Sequence, residues 1–444
     1  TLLALVLASA IVLLVGQVFT NLLGTPIVWE TLLQRDTLGL LLGLVLLISV
    51  LAGSYPALVL ASSRAVVALK GPSFLHRSRG RLRKVFIAFQ FTVAISLVAG
   101  ALVVREQVFY MRHKDLGFQQ KEIAAVTIPY NADGSQKAST FKQQLQQDSR
   151  VGGVAIGSRP DGLWSWSSVS ITAQGQDKTM AANGINVDED YIQVLKLSLV
   201  AGKNFTPSQS QQIMVNEAFV KQAGWHDPVG QEVVFSETDT KQVAGVVKDF
   251  HFAPLHEPIE PLILFYDISA GINLLVNIAP SDLDAIKAIW PNFFPNAPLD
   301  FEVLDQALDH RYRTEQRLLT LFNYFSGLSI FVACLGLLGL TAFTVQQKTK
   351  EIGIRKVLGA NRKAIMYLLS REFAVLLLIA ASVATPVAWL AMQYWLQDFA
   401  YRTTIGAPIF LWAIGSVALL ALITLSYHTL KAAATNPTDS LRYE

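Results

Sequence analysis

A single cysteine and a low share of charge limit what this chain can be. Cys334 lies within an apolar run, so a disulfide framework and a cysteine zinc site are both excluded. Charged residues make up 16% against 52% hydrophobic ones, and the mean hydropathy is +0.39. That balance is too apolar for an ordinary soluble domain of 444 residues and fits a membrane protein with a sizeable soluble part. A net charge of +3 is too small to argue for a nucleic-acid partner, and none is expected. The phosphate-loop pattern GxxxxGK[ST] is missing, as are the GxSxG elbow and HExxH, so ATP hydrolysis by that route is excluded and no catalytic residue is assigned. His251 and His256 lie near Asp249 and Glu257, but Pro254 and Pro258 spoil a helical ligand spacing, and neither a metal nor another cofactor is expected in the chain. The chain opens inside an apolar run with no methionine or basic leader. No cleavable signal peptide is visible, and an upstream portion of the protein is expected.

Long apolar runs organise what is present. Thr1 to Thr20 and Leu38 to Leu60 are long enough to cross a hydrocarbon core at roughly 1.5 Å per residue. Gly39 and Gly43 in the second run have GxxxG spacing, read as helix packing. Lys70, Arg77, Arg79, Arg81, Arg83 and Lys84 follow without an acidic residue, which places that segment in the cytoplasm. A third span from about Val85 to Val104 continues as a stalk through Arg105 to Lys114.

From Lys121 to Asp305 no run is long enough to span. EIAAVTIP, VGGVAIG, SSVSITAQG, QEVVF and QVAGVVKDF read as strands, and the stretches around Phe141 to Gln147 and MVNEAFVKQAG as helices, giving a mixed α/β or α+β domain. DQALDHRYRTEQRLLTLFNYF then reads as one stalk helix running into a fourth span. The fifth ends at Tyr394, Trp395 and Tyr401, an aromatic set suited to the outer interface. Arg371 and Glu372, about two turns inside it, are read as snorkelling or as bracing a neighbouring helix.

Between the fourth and fifth spans lies a charged island, KTKEIGIRKVLGANRKAI, from Lys348 to Ile365. At 100° per residue Ile354, Val357 and Leu358 fall on one side, and Lys348, Arg355 and Lys356 on the other. Glu351 precedes Arg355 by four residues, Gly359 supplies a stop, and Asn361 can cap the next helix. The island therefore predicts helix, break, helix; a solvated basic loop is the alternative reading.

The string KEIGIRKVLGANR resembles the loop motif of the FtsX-like permease family, which includes MacB-type ABC transporter subunits. YIQVLKLSLVAGKNF, VNEAF, DPVG and VVKDFHF resemble, in the same order, the periplasmic core domain of MacB-like permeases, with Lys203 standing where arginine is commoner. The apolar runs give six transmembrane α-helices, and the resemblance implies a mixed α/β (α+β) extracytoplasmic domain of the MacB periplasmic core type. It assigns 1–70 to the last two membrane helices and cytoplasmic exit of a truncated first repeat, and 71–84 to a basic cytoplasmic linker. Residues 85–116 become a helix and stalk, 117–305 the core domain, and 306–444 a stalk and FtsX-like membrane domain with helices at about 318–345, 365–396 and 408–430.

A matching stretch suggests an internal repeat and so a truncated half, a shared bias of two exit helices toward Leu and Ala being the alternative. At an offset of 426 − 54 = 372, Ser54, Tyr55, Leu58, Ala61 and Leu69 meet Ser426, Tyr427, Leu430, Ala433 and Leu441, and Lys70 meets Arg442.

The resemblance implies a non-enzymatic permease subunit that transmits ATP-driven motion of a separate cytoplasmic ATPase, in two copies, to an extracytoplasmic domain and so exports a substrate. ATP and Mg would sit on that ATPase. The coupling interface is expected at Lys350, Glu351, Ile352, Gly353, Ile354, Arg355, Lys356, Leu358, Gly359 and Ala360. Further expected partners are the lipid bilayer and either a periplasmic adaptor or a second permease half. The expected location is the bacterial inner membrane, multi-pass, with both ends of the chain cytoplasmic and 105–317 extracytoplasmic. The alternative is a non-transporting receptor or regulator whose ectodomain binds a ligand or cell-wall enzyme and signals inward.

Overall fold

A computed structural model of the chain describes residues 34–61, 75–129, 134–161, 167–173, 179–206, 211–268, 273–359 and 361–434, together with Ala10, Gly16 and Thr20. In chain order its helices are α1 (Arg35–Ala61), α2 (Leu75–His113), α3 (Gly134–Leu145), α4 (Tyr191–Val194), α5 (Glu217–Ala223), α6 (Asp284–Phe293), α7 (Leu304–Arg311), α8 (Arg313–Val357), α9 (Arg362–Leu396) and α10 (Ala407–Ala434). Its strands are β1 (Ile123–Thr127), β2 (Val151–Gly157), β3 (Ser167–Ala173), β4 (Met180–Val187), β5 (Leu199–Gly202), β6 (Gln212–Asn216), β7 (Glu232–Ser236), β8 (Asp239–Val247), β9 (Leu262–Tyr266), β10 (Asn273–Ile278) and β11 (Phe301–Val303). Two compact units result. One comprises Thr1–Arg105, Glu315–Gln393 and Ile405–Glu444; the other comprises Glu106–Thr314 and Tyr394–Thr404.

The first unit is helical. Arg83–His113, Arg313–Val345, Ser370–Leu396 and Ala407–Ser426 are each long and apolar enough to cross a membrane, four candidates among the described residues. A helix satisfies its own backbone in hydrocarbon, which is why such runs take this form. Their shared core sets small residues beside large ones: Ala94 and Ala99 of α2, Ala333 of α8, Ala380 and Ala384 of α9 and Ala413 of α10 are buried with Phe91, Ile95, Leu337 and Phe373. Short side chains let helices approach closely where lipid supplies no hydrophobic drive. At Gly100 the approach is tight, because a Cβ there would stand 2.6 Å from the Phe322 ring. Leu378, Leu390, Leu411 and Trp412 point outward, as lipid-facing positions should.

Most of the first expected span, Thr1 to Thr20, lies outside the described residues, as do Leu69, Lys70, Leu441 and Arg442 of the repeat. Leu38 to Leu60 falls within α1. No described atom comes within 4 Å of a Cβ built at Gly39 or Gly43, so no described helix packs on that pair.

The second unit is α/β and has two cores. In one, β11, β1, β10 and β2 form an antiparallel sheet covered by α3 and α6, with Val126, Phe141, Ile156, Val276, Ile286 and Trp290 buried together. The amphipathic helices hide their apolar faces there, while β1 and β10 are buried on both faces. In the other, β4, β3, β7, β8, β6 and β9 pair in succession, and β9 returns parallel to β4 (Asn183↔Leu262 to Val187↔Tyr266), so the strands close on themselves. Closure removes the exposed edges a flat sheet of these strands would have. Ile171, Ile213, Val215, Val233, Val243 and Ile263 are among its buried residues.

Two local expectations need correction. MVNEAFVKQAG is not one helix. Met214 to Asn216 belong to β6, and the helix starts at Glu217 because the Asn216 side chain caps it, accepting from Phe219 N–H at 3.0 Å. The second stalk is likewise broken: α7 ends at Arg311 and α8 begins at Arg313, with Tyr312 between them at φ −89°, ψ 15° and its side chain buried.

Candidate functional site

The island folds as helix, break, helix. The last turns of α8 carry Glu351 and Arg355, paired at 2.8 Å across one turn, the order that a helix favours. The Leu358 N–H still bonds to the Ile354 carbonyl at 3.0 Å, and Gly359 then adopts φ +87°, the left-handed conformation that ends a helix at little cost only for glycine. Asn361 accepts from the Ala364 N–H at 2.9 Å and starts α9.

Of the expected coupling residues, Lys350, Glu351, Ile352, Gly353, Ile354, Arg355 and Lys356 all lie in the final two turns of α8. Leu358 and Gly359 form the turn, and Ala360 lies outside the described residues. Glu351, Ile354, Arg355 and Leu358 are all exposed, Ile354 at 49% and Leu358 at 80%. The apolar stripe expected to lie against something is thus uncovered by the described chain at these two positions.

The base of the island is held by Glu372. It accepts from Lys348 Nζ at 2.8 Å and from Lys84 Nζ at 2.9 Å, so one carboxylate joins α8, α9 and α2. Next to it, the Arg83 guanidinium lies 4.2 Å from the centre of the Phe343 ring, a second α2–α8 contact of cation–π type. The sequence left snorkelling and bracing open for Arg371 and Glu372, and it is Glu372 that braces. The sequence carried no signal for Lys84, 288 positions away.

Charge is also buried in the α/β unit, but there it fastens elements together. Lys142 of α3 donates to Asp188 at 2.7 Å and to Asp190 at 2.6 Å, and Asp188 also accepts from Ile156 N–H. Burial works against the Lys142 ammonium, yet the two aspartates outweigh it and hold its pKa above the ordinary lysine value. Arg159 pairs with Asp161 at 2.8 Å and Glu302 at 3.1 Å. These networks are satisfied at both ends, as buried charge must be.

His251 and His256 do not converge on a common centre. His251 stands edge-on to Tyr401 with ring centres 4.5 Å apart, and His256 lies 4.3 Å from the Phe399 ring. Among the described residues no three His, Cys, Asp or Glu side chains group as metal ligands. Burial first, then the Lys114 charge, lowers the His251 pKa to about 4.

The apolar helices and the α/β unit define a membrane protein with a substantial soluble domain. Residues 323–437, which hold most of α8, the island, α9 and α10, match the FtsX-like permease C-terminal family. The chain is 23% identical over 296 residues to the uncharacterized ABC transporter permease YknZ of Bacillus subtilis, covering 61% of this chain and 71% of that one. It is 30% identical over 147 residues to the macrolide export ATP-binding/permease protein MacB of Bdellovibrio bacteriovorus, covering 32% of this chain and only 21% of that much longer one. Among solved structures, the periplasmic region of MacB from Actinobacillus actinomycetemcomitans aligns over 45% of this chain and 96% of that one, at 15% identity and a TM-score of 0.33.

Proposed function

We propose that this chain is the permease subunit of an ABC transporter and that the island from Lys350 to Ala360 is where a separate cytoplasmic ATPase, present in two copies, grips it. The observation that carries this reading is the island itself: a capped, charged turn with Ile354 and Leu358 uncovered, inside the segment that matches the FtsX-like permease family. The relatives named as ABC transporter permeases support the same assignment. ATP and Mg belong to the ATPase, and this chain performs no chemistry.

In this reading the chain crosses a bacterial inner membrane six times, the four candidate spans being joined by Thr1 to Thr20 and Leu38 to Leu60. The basic segment 71–84, the island and both ends face the cytoplasm, and 105–317, including the core domain 117–305, lie outside. A periplasmic adaptor or a second permease half would complete the assembly. Closure of the ATPase pair displaces the island, and the unbroken helices α2 and α8 carry the displacement outward to the domain that handles the exported substrate. Coupling requires that the island contact the ATPase differently in its nucleotide states, since a ligand that binds both states equally shifts nothing.

The test is stimulation of a co-purified ATPase by the full chain. Glu351→Arg and Gly353→Trp are expected to abolish stimulation while the protein remains monodisperse. Wild-type stimulation in both variants would reject the assignment and favour a receptor that signals without transport.

A further inference from the structure

Beside the tie at Glu372, the helical unit has an open groove of about 440 Å³ rimmed by Lys84, Lys348, Arg371 and Glu372. Three cations face one carboxylate, a local charge of 3 − 1 = +2. Glu372 is already engaged by both lysines. Arg371 is exposed and takes no part in that tie, nor in any ion pair among the described residues. One and two turns further along α9 the wall becomes apolar, with Val375 and Ile379 each half exposed. The rim coincides with the ends of three candidate spans: Arg83–His113 begins there, Arg313–Val345 ends there, and Ser370–Leu396 begins there.

We propose that this groove binds an anionic phospholipid from the leaflet on the island's side of the membrane, its phosphate beside Arg371 and the two lysines and an acyl chain along Val375 and Ile379. Uncompensated cations next to hydrocarbon are costly, and an anionic headgroup held at that depth supplies the missing counter-charge. A soluble anion could satisfy the rim but would leave the apolar wall unused. A zwitterionic lipid fills the wall but brings its own cation to a rim that already has an excess. The assignment rests on the chain spanning a membrane. It does not depend on an ATPase partner, so it stands or falls separately from the coupling role of the island.

The test is native mass spectrometry of the detergent-solubilised full chain titrated with dioleoyl phosphatidylglycerol, with dioleoyl phosphatidylcholine and with inorganic phosphate. Phosphatidylglycerol adducts should persist at lower lipid concentration than phosphatidylcholine adducts. Arg371→Gln, which leaves the Glu372 tie intact, should weaken phosphatidylglycerol binding about fivefold and leave phosphatidylcholine unchanged. Lys84→Gln removes a second rim cation and should weaken it further; if that variant does not fold, Arg371→Gln decides alone. Equal retention of the two lipids by the wild type, or an Arg371→Gln protein that binds phosphatidylglycerol like the wild type, overturns the proposal. Displacement of the lipid by millimolar inorganic phosphate also overturns it and assigns the rim to a soluble anion.

Discussion

Lys348 donates to Glu372 at 2.8 Å across 24 residues of chain, and that one bond closes the island at its base. The residues between them leave on α8, turn at Gly359 and return on α9, so a force applied to the turn is delivered to a bracketed loop. Lys84 joins the same carboxylate and extends the bracket to α2.

Removing that carboxylate should loosen three helices together. Glu372→Gln leaves the lysines without their anion and is expected to cost about 1 kcal/mol, the scale of partly exposed ion pairs. Glu372→Lys, which gathers four cations, should cost clearly more. Thermal unfolding in detergent, followed by size-exclusion of the surviving fraction, orders the wild type above Gln and Gln above Lys. Equal midpoints would mean that the bracket carries no stability.

Gly100 tests the packing of the helical unit. With a Cβ only 2.6 Å from Phe322 and 3.2 Å from the Met392 sulfur, Gly100→Leu must displace those side chains or part α2 from α8 and α9. The expected cost is roughly 1–3 kcal/mol, the range for overpacked cores. Gly327→Leu, where the same construction meets nothing within 4 Å, is the control and should melt like the wild type.

Gly202 makes the equivalent case in the α/β unit. It sits at φ +76°, and a Cβ there would stand 2.2 Å from the Ala244 carbonyl oxygen. Neither atom belongs to a flexible side chain, so Gly202→Ala should destabilise this unit by about 3 kcal/mol or more. Limited proteolysis should cut the variant within 117–305 under conditions that leave the wild type intact.

The soluble unit should also weaken in mild acid through His251. Burial favours the neutral ring, so its folded pKa of about 4 lies below the unfolded value of 6.5. The stabilising difference is complete above pH 6.5 and is lost as pH falls from there toward 4. A ring that water still partly reaches loses on the order of 2 kcal/mol over that window. His251→Phe keeps an aromatic partner for Tyr401 and should flatten the pH dependence of unfolding between those limits. A variant with the slope of the wild type would remove His251 as its source.

The local features were readable from the sequence because local chemistry decides them. Gly359 and Asn361 announced the island's break and restart, and Glu351 its pairing with Arg355. Features fixed by tertiary contact were not readable. Tyr312, its ring buried, breaks an otherwise helical pattern, and Met214 to Asn216 are drawn into β6 between β8 and β9 despite the helix that follows. The parallel return of β9 to β4 and the Lys84–Glu372 bond join residues far apart in sequence, and neither periodicity nor spacing encodes such a pairing.

The central claim is that a cytoplasmic ATPase holds the island. Leu358→Cys in a Cys334→Ser background places one thiol at an exposed position of the turn. With a maleimide–diazirine reagent on that thiol in intact membranes, photolysis releases dinitrogen and the carbene inserts into neighbouring C–H or N–H bonds, so the turn should crosslink to the ATPase subunit with a yield that changes between the ATP-bound and nucleotide-free states. A thiol at Lys241 in the α/β unit should give no such product. Absence of the Leu358→Cys product, or its appearance equally from Lys241→Cys, would contradict the account.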